Sequence, residues 1–346
     1  MDPQLPYGTL DDVVRWRAKE WDWGQNIIAV RYLWDELERL RPASLLGRQL
    51  VALGDEVRAA GRGGEAEVRP DSVMHRVAAF APLGFALWGL RAQRDSEGYR
   101  QEVVQLAAGD DGAVLGHGFT LDSAGTLARL GFDIEFIPQT PGGEQQPDFL
   151  ARRHGDTFTC EATTKNPTAL RYENIGEFWR HLHRAVETKR TKYGRGGEWR
   201  KGVLLVDATP IIHLWGGLSS LPVVGEIVHM TPDHASGRPE SVLRSGRAAM
   251  LSYEGPHGEG LRELEWLIRD YDIGSVMIWH RHLHRLPEGG VHRQSGFKVI
   301  GTMRGGSFWT HFEPALVFPG PGFRVTGMPG GDLAGCQIPP QPDQTL

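Results

Sequence analysis

The chain has 346 residues, of which 40% are hydrophobic and 23% are charged, so a sizeable core is available and disorder of the whole chain is excluded. The formal net charge of −5 argues against a protein that coats nucleic acid non-specifically, because that mode neutralises many phosphates at once. The two cysteines, Cys160 and Cys336, cannot form a dense disulfide framework or a four-cysteine zinc site.

Nothing in the chain has the pattern of a membrane or export segment. No apolar run approaches about 18 residues, and the N-terminus MDPQLPYGTLDDVV is acidic and polar where a signal peptide is basic and then apolar. The sequence therefore predicts a cytoplasmic protein with no membrane association.

Residues 1–110 are predicted to form a helical N-terminal region. Ile27, Val30, Leu33 and Leu37 recur at helical spacing before a break at Pro42. A second helix is predicted over 44–60 and a third within 73–92, with a glycine-rich segment between them. Tryptophans interleaved with charged residues here are typical of helix packing. We expect this region to recognise a protein partner or nucleic acid.

From about residue 115 the pattern changes to alternating helices and strands. Thr120 is predicted to cap a helix that Gly131 ends. The segments DIEFIP, PDFLARR and TFTCEATTK have the composition of strands, and a tight turn at 154–156 joins the last two. An amphipathic helix follows over 172–192, and then the buried strand GVLLVDAT. A helix between two strands predicts a parallel pair in an α/β sheet.

The rest of the chain is less regular. A short helix over 261–271 and a buried strand at SVMIWH are predicted. The Pro/Gly-rich tail, 319–346, has no predicted fold.

Two carboxylates are expected to meet at one edge of this sheet. Asp148 begins one strand of the PDFLARR–TFTCEATTK hairpin, and Glu161 lies toward the end of the other. Two hard oxygen ligands, completed by a backbone carbonyl and waters, are what Mg²⁺ requires. Because side chains alternate along a strand, Glu161 and Lys165 share one face, while Cys160 points into the core on the other. The sequence therefore predicts a magnesium site with a lysine beside it.

The segment resembles the PD-(D/E)XK nuclease superfamily, which has the restriction-endonuclease-like fold. The resemblance rests on Pro147-Asp148, on the spacing from Asp148 to Glu161, and on the order of helix, strand, PD, strand, E, helix and strand over about 115–210. It implies a mixed α/β sheet flanked by helices, in a domain over 115–318. It also implies that Asp148 and Glu161 bind Mg²⁺ or Mn²⁺ while a lysine orients the attacking water during phosphodiester hydrolysis.

The lysine departs from the family pattern. That pattern places it two residues after the glutamate, where this chain has Thr163, and the nearest lysine is Lys165. The displacement is two residues along the strand, or ~6–7 Å, and a long lysine side chain can partly span that distance. The helix over 172–192 offers Lys189 and Lys192 as alternatives, which we otherwise expect to contact substrate phosphate. Asp122 is a candidate additional acid on the preceding helix, although a dipole-stabilising role suits it equally.

A second cluster, His280, His282 and His284, alternates at the end of an apolar strand. Three imidazoles on one face suit zinc, but a polar rim or a phosphate-contacting basic edge also explains them.

Three hypotheses follow. The first is a metal-dependent nuclease that acts on nucleic acid, with DNA favoured, and the resemblance implies a homodimer if it cuts both strands. The second is a catalytically inactive protein of that fold that serves as a nucleic-acid-binding or assembly subunit, supported by Thr163. The third is a histidine-cluster metallohydrolase. The sequence contains no motif that distinguishes DNA from RNA or fixes base specificity.

Overall fold

The computed structural model describes residues 24–61, 70–140, 146–164, 175–193, 201–207, 225–231, 240–245, 273–285 and 291–301, with positions 260, 263–264, 266–267, 308, 311 and 324–325. In this part of the chain the protein is α/β, with a mixed sheet and helices on both of its faces. Among the described residues, no helix combines the length and the apolar character needed to span a bilayer.

Five helices precede the first strand in the part of the chain that the structure describes. They are α1 (Gly24–Leu40), α2 (Leu45–Gly61), α3 (Pro70–Gly89), α4 (Glu97–Leu106) and α5 (Asp111–Arg129), with a 3₁₀ turn over Arg91–Gln93. The first three match the predicted helices. Helix α4 was not predicted as a separate element; Ser96 caps it by accepting a hydrogen bond from the Tyr99 N–H.

The predicted start of α5 is wrong. The helix begins nine residues before Thr120, because the Asp110 carboxylate caps it by accepting a hydrogen bond from the Ala113 N–H at 2.7 Å. Thr120 therefore lies inside the helix, where its hydroxyl donates to the Gly116 carbonyl. Asp122 also lies beyond the first turn, which removes the dipole-stabilising role proposed for it.

Nine described strands form one sheet. They are β1 (Asp133–Phe136), β2 (Phe149–Arg153), β3 (Asp156–Thr163), β4 (Gly202–Asp207), β5 (Gly225–Thr231), β6 (Glu240–Ser245), β7 (Ser275–Arg285), β8 (Val291–Gly301) and β9 (Arg324–Val325). Their order is β1-β2-β3-β4-β7-β8-β5-β6-β9. Helix α6 (Ile175–Tyr193) connects β3 to β4.

The pairing confirms the predicted hairpin and crossover. Strands β1, β2 and β3 are antiparallel neighbours, and β2 pairs with β3 through a turn at His154 and Gly155, both with positive φ. Strand β4 lies parallel between β3 and β7. The pair β6–β9 is formed by Arg324 and Val325, inside the tail for which no fold was predicted.

The sheet separates two buried layers. Residues on one face belong to the same apolar cluster as helices α1–α5: Phe149, Ala151, Phe158, Cys160, Val203, Leu205 and Met277. Buried residues that alternate with them lie outside that cluster: Leu204, Val206, Val276 and Ile278. Contact between Lys189 and Glu161 places α6 on this second face. The predicted alternation at Cys160 and Glu161 is therefore confirmed.

Candidate functional site

Asp148 stands just before β2, where the hairpin with β3 ends. Its N–H donates to the Cys160 carbonyl at 3.1 Å, and its own carbonyl accepts from the Ile137 N–H, so the backbone is held between β1 and β3. The carboxylate accepts a hydrogen bond from the Ala162 N–H at 2.7 Å. This bond fixes the Asp148 carboxylate against the residue that follows Glu161.

Glu161 is the buried member of the acidic pair. It lies on β3 opposite Leu204 of the parallel strand β4, and only 1% of its surface is exposed. A carboxylate at this depth needs a positive partner, since burying a charge without one is costly. Lys189 of α6 supplies it: its ammonium group contacts Glu161 Oε1 and donates to the Ala162 carbonyl at 3.1 Å.

Burial, Glu161 and Lys189 all influence the pKa of Asp148. Burial of the carboxyl, and then repulsion by Glu161, raise the pKa of Asp148 to about 7, while the Lys189 ammonium and the Ala162 N–H act in the opposite direction. A carboxyl that titrates near neutral pH is poised to exchange a proton for a cation.

The oxygen atoms gathered here suit a hard divalent cation. Within the described ranges, no three His, Cys, Asp or Glu side chains come together as a metal-ligand group. The donors at this edge are two carboxylates and the Ala162 carbonyl, and two of these three already hold a cation, the Lys189 ammonium. Asp148, Glu161 and the Ala162 carbonyl would therefore hold Mg²⁺ or Mn²⁺, with waters completing the shell.

Asp207 is a further acid near this edge that the sequence analysis did not single out. It ends β4 and is 5% exposed, and its Oδ2 accepts a hydrogen bond from the Thr164 hydroxyl at 3.2 Å. The sequence did contain a signal, which is an acidic residue directly after the apolar run GVLLV. The carboxyl ends of neighbouring parallel strands lie at the same edge of a sheet, so a residue there is expected near the end of β3.

Glu102 and His117 were also missed. Glu102 lies on α4 and His117 on α5, and Glu102 Oε2 is 2.8 Å from His117 Nδ1. The charge of Glu102 contributes to the raised pKa of Asp148. No local sequence pattern predicts the Glu102–His117 pair, because the two residues come together only when α4 packs against α5.

The other predicted residues have different outcomes. Lys165 lies outside the described residues. Lys192 lies on α6, one turn after Lys189, and only its backbone is described. Asp122 is buried on α5 and raises the pKa of Arg129, which lies two turns along the same helix, although burial of Arg129 is the larger influence and lowers that pKa. The role of Asp122 as an additional acid stays a prediction.

His280, His282 and His284 occupy alternate positions on β7, which extends to Arg285. They pair in register with Gly296, Gln294 and His292 of β8. Their side chains are not among the described parts of the structure, so the zinc site stays a prediction.

Comparison with protein-family models, curated proteins and solved structures gives no match to this chain. Any functional assignment therefore rests on the geometry of this sheet edge.

Proposed function

We propose that the protein is a metal-dependent nuclease of the restriction-endonuclease-like fold, acting on DNA in the cytoplasm. The observation that carries the proposal is the placement of Asp148, Glu161 and Lys189 around the backbone of Ala162, whose N–H donates to the Asp148 carboxylate and whose carbonyl accepts from Lys189. Two carboxylates, a carbonyl and a lysine at one sheet edge are the donor set that phosphodiester hydrolysis with a divalent ion uses.

The chain's own residues have distinct tasks in this proposal. Asp148 and Glu161 hold Mg²⁺ or Mn²⁺, and the ion, when bound, lowers the pKa of water and screens charge that develops on phosphate. Lys189 carries a positive charge beside the acidic pair, where the substrate phosphate would lie, and Lys192 is one turn further along α6. Lys165 remains the candidate to assist the attacking water.

The test is cleavage of single- and double-stranded DNA and RNA with Mg²⁺, with Mn²⁺ or with EDTA. We expect metal-dependent cutting that Asp148→Asn and Glu161→Gln each reduce by about 10²-fold or more, since they remove charge from the site. Asp133→Asn is the control, because Asp133 is an exposed carboxylate on β1.

The same assay identifies the working lysine. Lys165→Ala and Lys189→Met are compared with Lys201→Met, whose ammonium binds Asp156 at 2.9 Å at the opposite end of β3. We expect Lys201→Met to cut normally and Lys189→Met to lose activity. If Lys165→Ala alone is inactive, the displaced lysine is the catalytic one.

A second function has one observation in its favour. The Lys189 ammonium already fills the space between Glu161 and the Ala162 carbonyl, and Thr163 stands where the family pattern has lysine. A catalytically inactive protein that binds nucleic acid would retain this arrangement. It would bind DNA and cut nothing under any metal condition. A protein that neither cuts nor binds nucleic acid, and that Mg²⁺ does not stabilise, would overturn both functions.

A further inference from the structure

Glu102 and His117 form a carboxylate–imidazole pair that the nuclease proposal does not use. Glu102 Oε2 lies 2.8 Å from His117 Nδ1, which fixes the ring orientation, and the protonated ring donates from Nδ1 to the carboxylate. Among the described residues, Nε2 of His117 has no hydrogen-bond partner. A carboxylate that orients an imidazole while leaving its second nitrogen available is an arrangement suited to proton transfer.

Helix α4, which carries Glu102, is joined by hydrogen bonds to the segment that precedes Asp148. Gln101, next to Glu102 on α4, accepts from the Gln139 N–H at 2.8 Å. The Gln139 amide in turn donates to the Pro147 carbonyl at 3.2 Å, and Pro147 precedes Asp148. Helix α4 is therefore attached to the segment that carries the first acid.

Accessibility separates His117 from the other described histidines that have carboxylate partners. The side chain of His117 is 36% exposed and that of Glu102 is 13% exposed. The side chains of His183, bound to Glu263, and His311, bound to Asp156, are 8% and 10% exposed. The His117 ring is therefore accessible from solvent, whereas the other two rings are largely enclosed.

The surrounding charges favour the protonated ring. The hydrogen bond to Glu102 is the largest influence and raises the pKa of His117, burial lowers it, and the charges of Glu102, Asp148 and Asp110 raise it further. The protonated ring is therefore favoured more strongly at this position than in a free imidazole.

We infer that His117, oriented by Glu102, is the general acid that protonates the leaving oxygen of the phosphodiester; this inference rests on the proposed nuclease function. As water attacks phosphorus, the bond from phosphorus to the leaving oxygen breaks. That oxygen takes the Nε2 proton, which leaves neutral imidazole and an alcohol. The attacking water releases its proton to solvent, from which His117 is protonated again, so atoms and charge balance.

The test replaces the leaving oxygen with sulfur. A bridging phosphorothiolate, prepared with sulfur at the 3′ or the 5′ position, departs as a thiolate that needs little protonation. On the oxygen substrate we expect His117→Gln and Glu102→Gln to slow kcat by about 10²-fold, whereas the substrate with sulfur on the departing side is slowed less than about fivefold. His154→Asn, at an exposed turn, is the control and should cut both substrates normally.

Each result has a separate meaning. If the two variants slow both substrates equally, His117 only positions substrate and the inference is overturned. If an increase in KM with unchanged kcat accounts for the loss, His117 contacts ground-state phosphate and the acid role is again overturned. Failure of the wild-type protein to cut either substrate, with Mg²⁺ and with Mn²⁺, overturns the nuclease proposal itself. Thermal unfolding of every variant excludes loss of folding as the cause.

Discussion

Asp148 and Glu161 compete for the same neutralising charge. Glu161 is enclosed and has the Lys189 ammonium against one oxygen, whereas the Asp148 carboxylate accepts a hydrogen bond from the Ala162 N–H among the described residues. The cost of bringing both carboxylates into one apolar edge therefore falls on Asp148, whose pKa is raised to about 7.

The first prediction concerns stability and pH. The pKa of Asp148 rises from an ordinary value of 3.8 to about 7 on folding, so the folded protein binds more protons than the unfolded chain between these values. Without metal, the contribution of Asp148 to stability is fully present below pH ~4 and is lost as the pH rises to ~7. Asp148→Asn should remove this loss and stabilise the metal-free protein at pH 8 by an amount on the order of a few kcal/mol.

Urea unfolding at pH 5 and pH 8, in EDTA and in Mg²⁺, measures this. Mg²⁺ should stabilise the wild type more at pH 8 than at pH 5, because a deprotonated carboxylate is the ligand. Asp148→Asn should lose most of that response and Asp133→Asn should keep it. A wild-type pH profile retained in Asp148→Asn would contradict the assignment of the pKa.

At the scale of elements, α5 is held close to α3 by a residue without a side chain. A Cβ added to Gly125 would lie 2.5 Å from the Ala86 Cα and 2.6 Å from its carbonyl oxygen. Both contacts are to positions that cannot rotate away, so the helices would have to separate. Gly116, on the same helix, has no heavy atom within 4 Å of an added Cβ.

The second prediction compares these two glycines. Gly125→Ala should destabilise the protein by about 1–3 kcal/mol through overpacking. Gly116→Ala should stabilise it by about 0.5–1 kcal/mol, since alanine favours a helix where space is available. Chemical denaturation of the two variants gives both values, and equal effects of the same sign would show that the α3–α5 contact is not as close as described.

Prediction from sequence succeeded where the relevant contacts are local. The hairpin that brings Asp148 toward Glu161 follows from strand alternation and a short turn, and both features are visible in the sequence. Thr120 is not the cap because Asp110, ten residues earlier, caps the helix instead. The glycines between these two residues do not interrupt the helix. Lys189 was expected either to supply the lysine of the site or to contact phosphate, and the packing of α6 on β3 brings its ammonium group to Glu161. The Glu102–His117 pair depends on the packing of two helices and had no local signal.

At the scale of the whole molecule, the helices and the sheet share one core. A single apolar cluster runs from Leu33 of α1 through Leu121 of α5 to Phe149 and Phe158 of the sheet. Removing the N-terminal helices would expose one face of the strands that carry the acidic pair. The boundary expected between 110 and 115 falls at the start of α5, within this continuous packing.

The third prediction is a single unfolding transition for helices α1–α5 and the part of the sheet formed by β1–β4 and β7, together with α6. Tryptophans report both regions, with Trp34 and Trp88 on the helices and Trp179 and Trp279 on α6 and β7. Fluorescence of variants that retain one tryptophan from each region should give coincident denaturation midpoints, as a cooperative unit does. A lower midpoint for the helices would indicate that they unfold separately.

The position of β4 between β3 and β7 has a consequence for the order in which the sheet assembles. Strands β1, β2 and β3 pair across short sequence distances, whereas β4 meets β7 only after residues 208–274 have been looped out. Closing a longer loop costs more chain entropy, and pairings of high contact order form slowly. The hairpin that carries Asp148 and Glu161 is therefore expected to form early, and enclosure of its charges between α6 and the completed sheet to follow as a later, slower event.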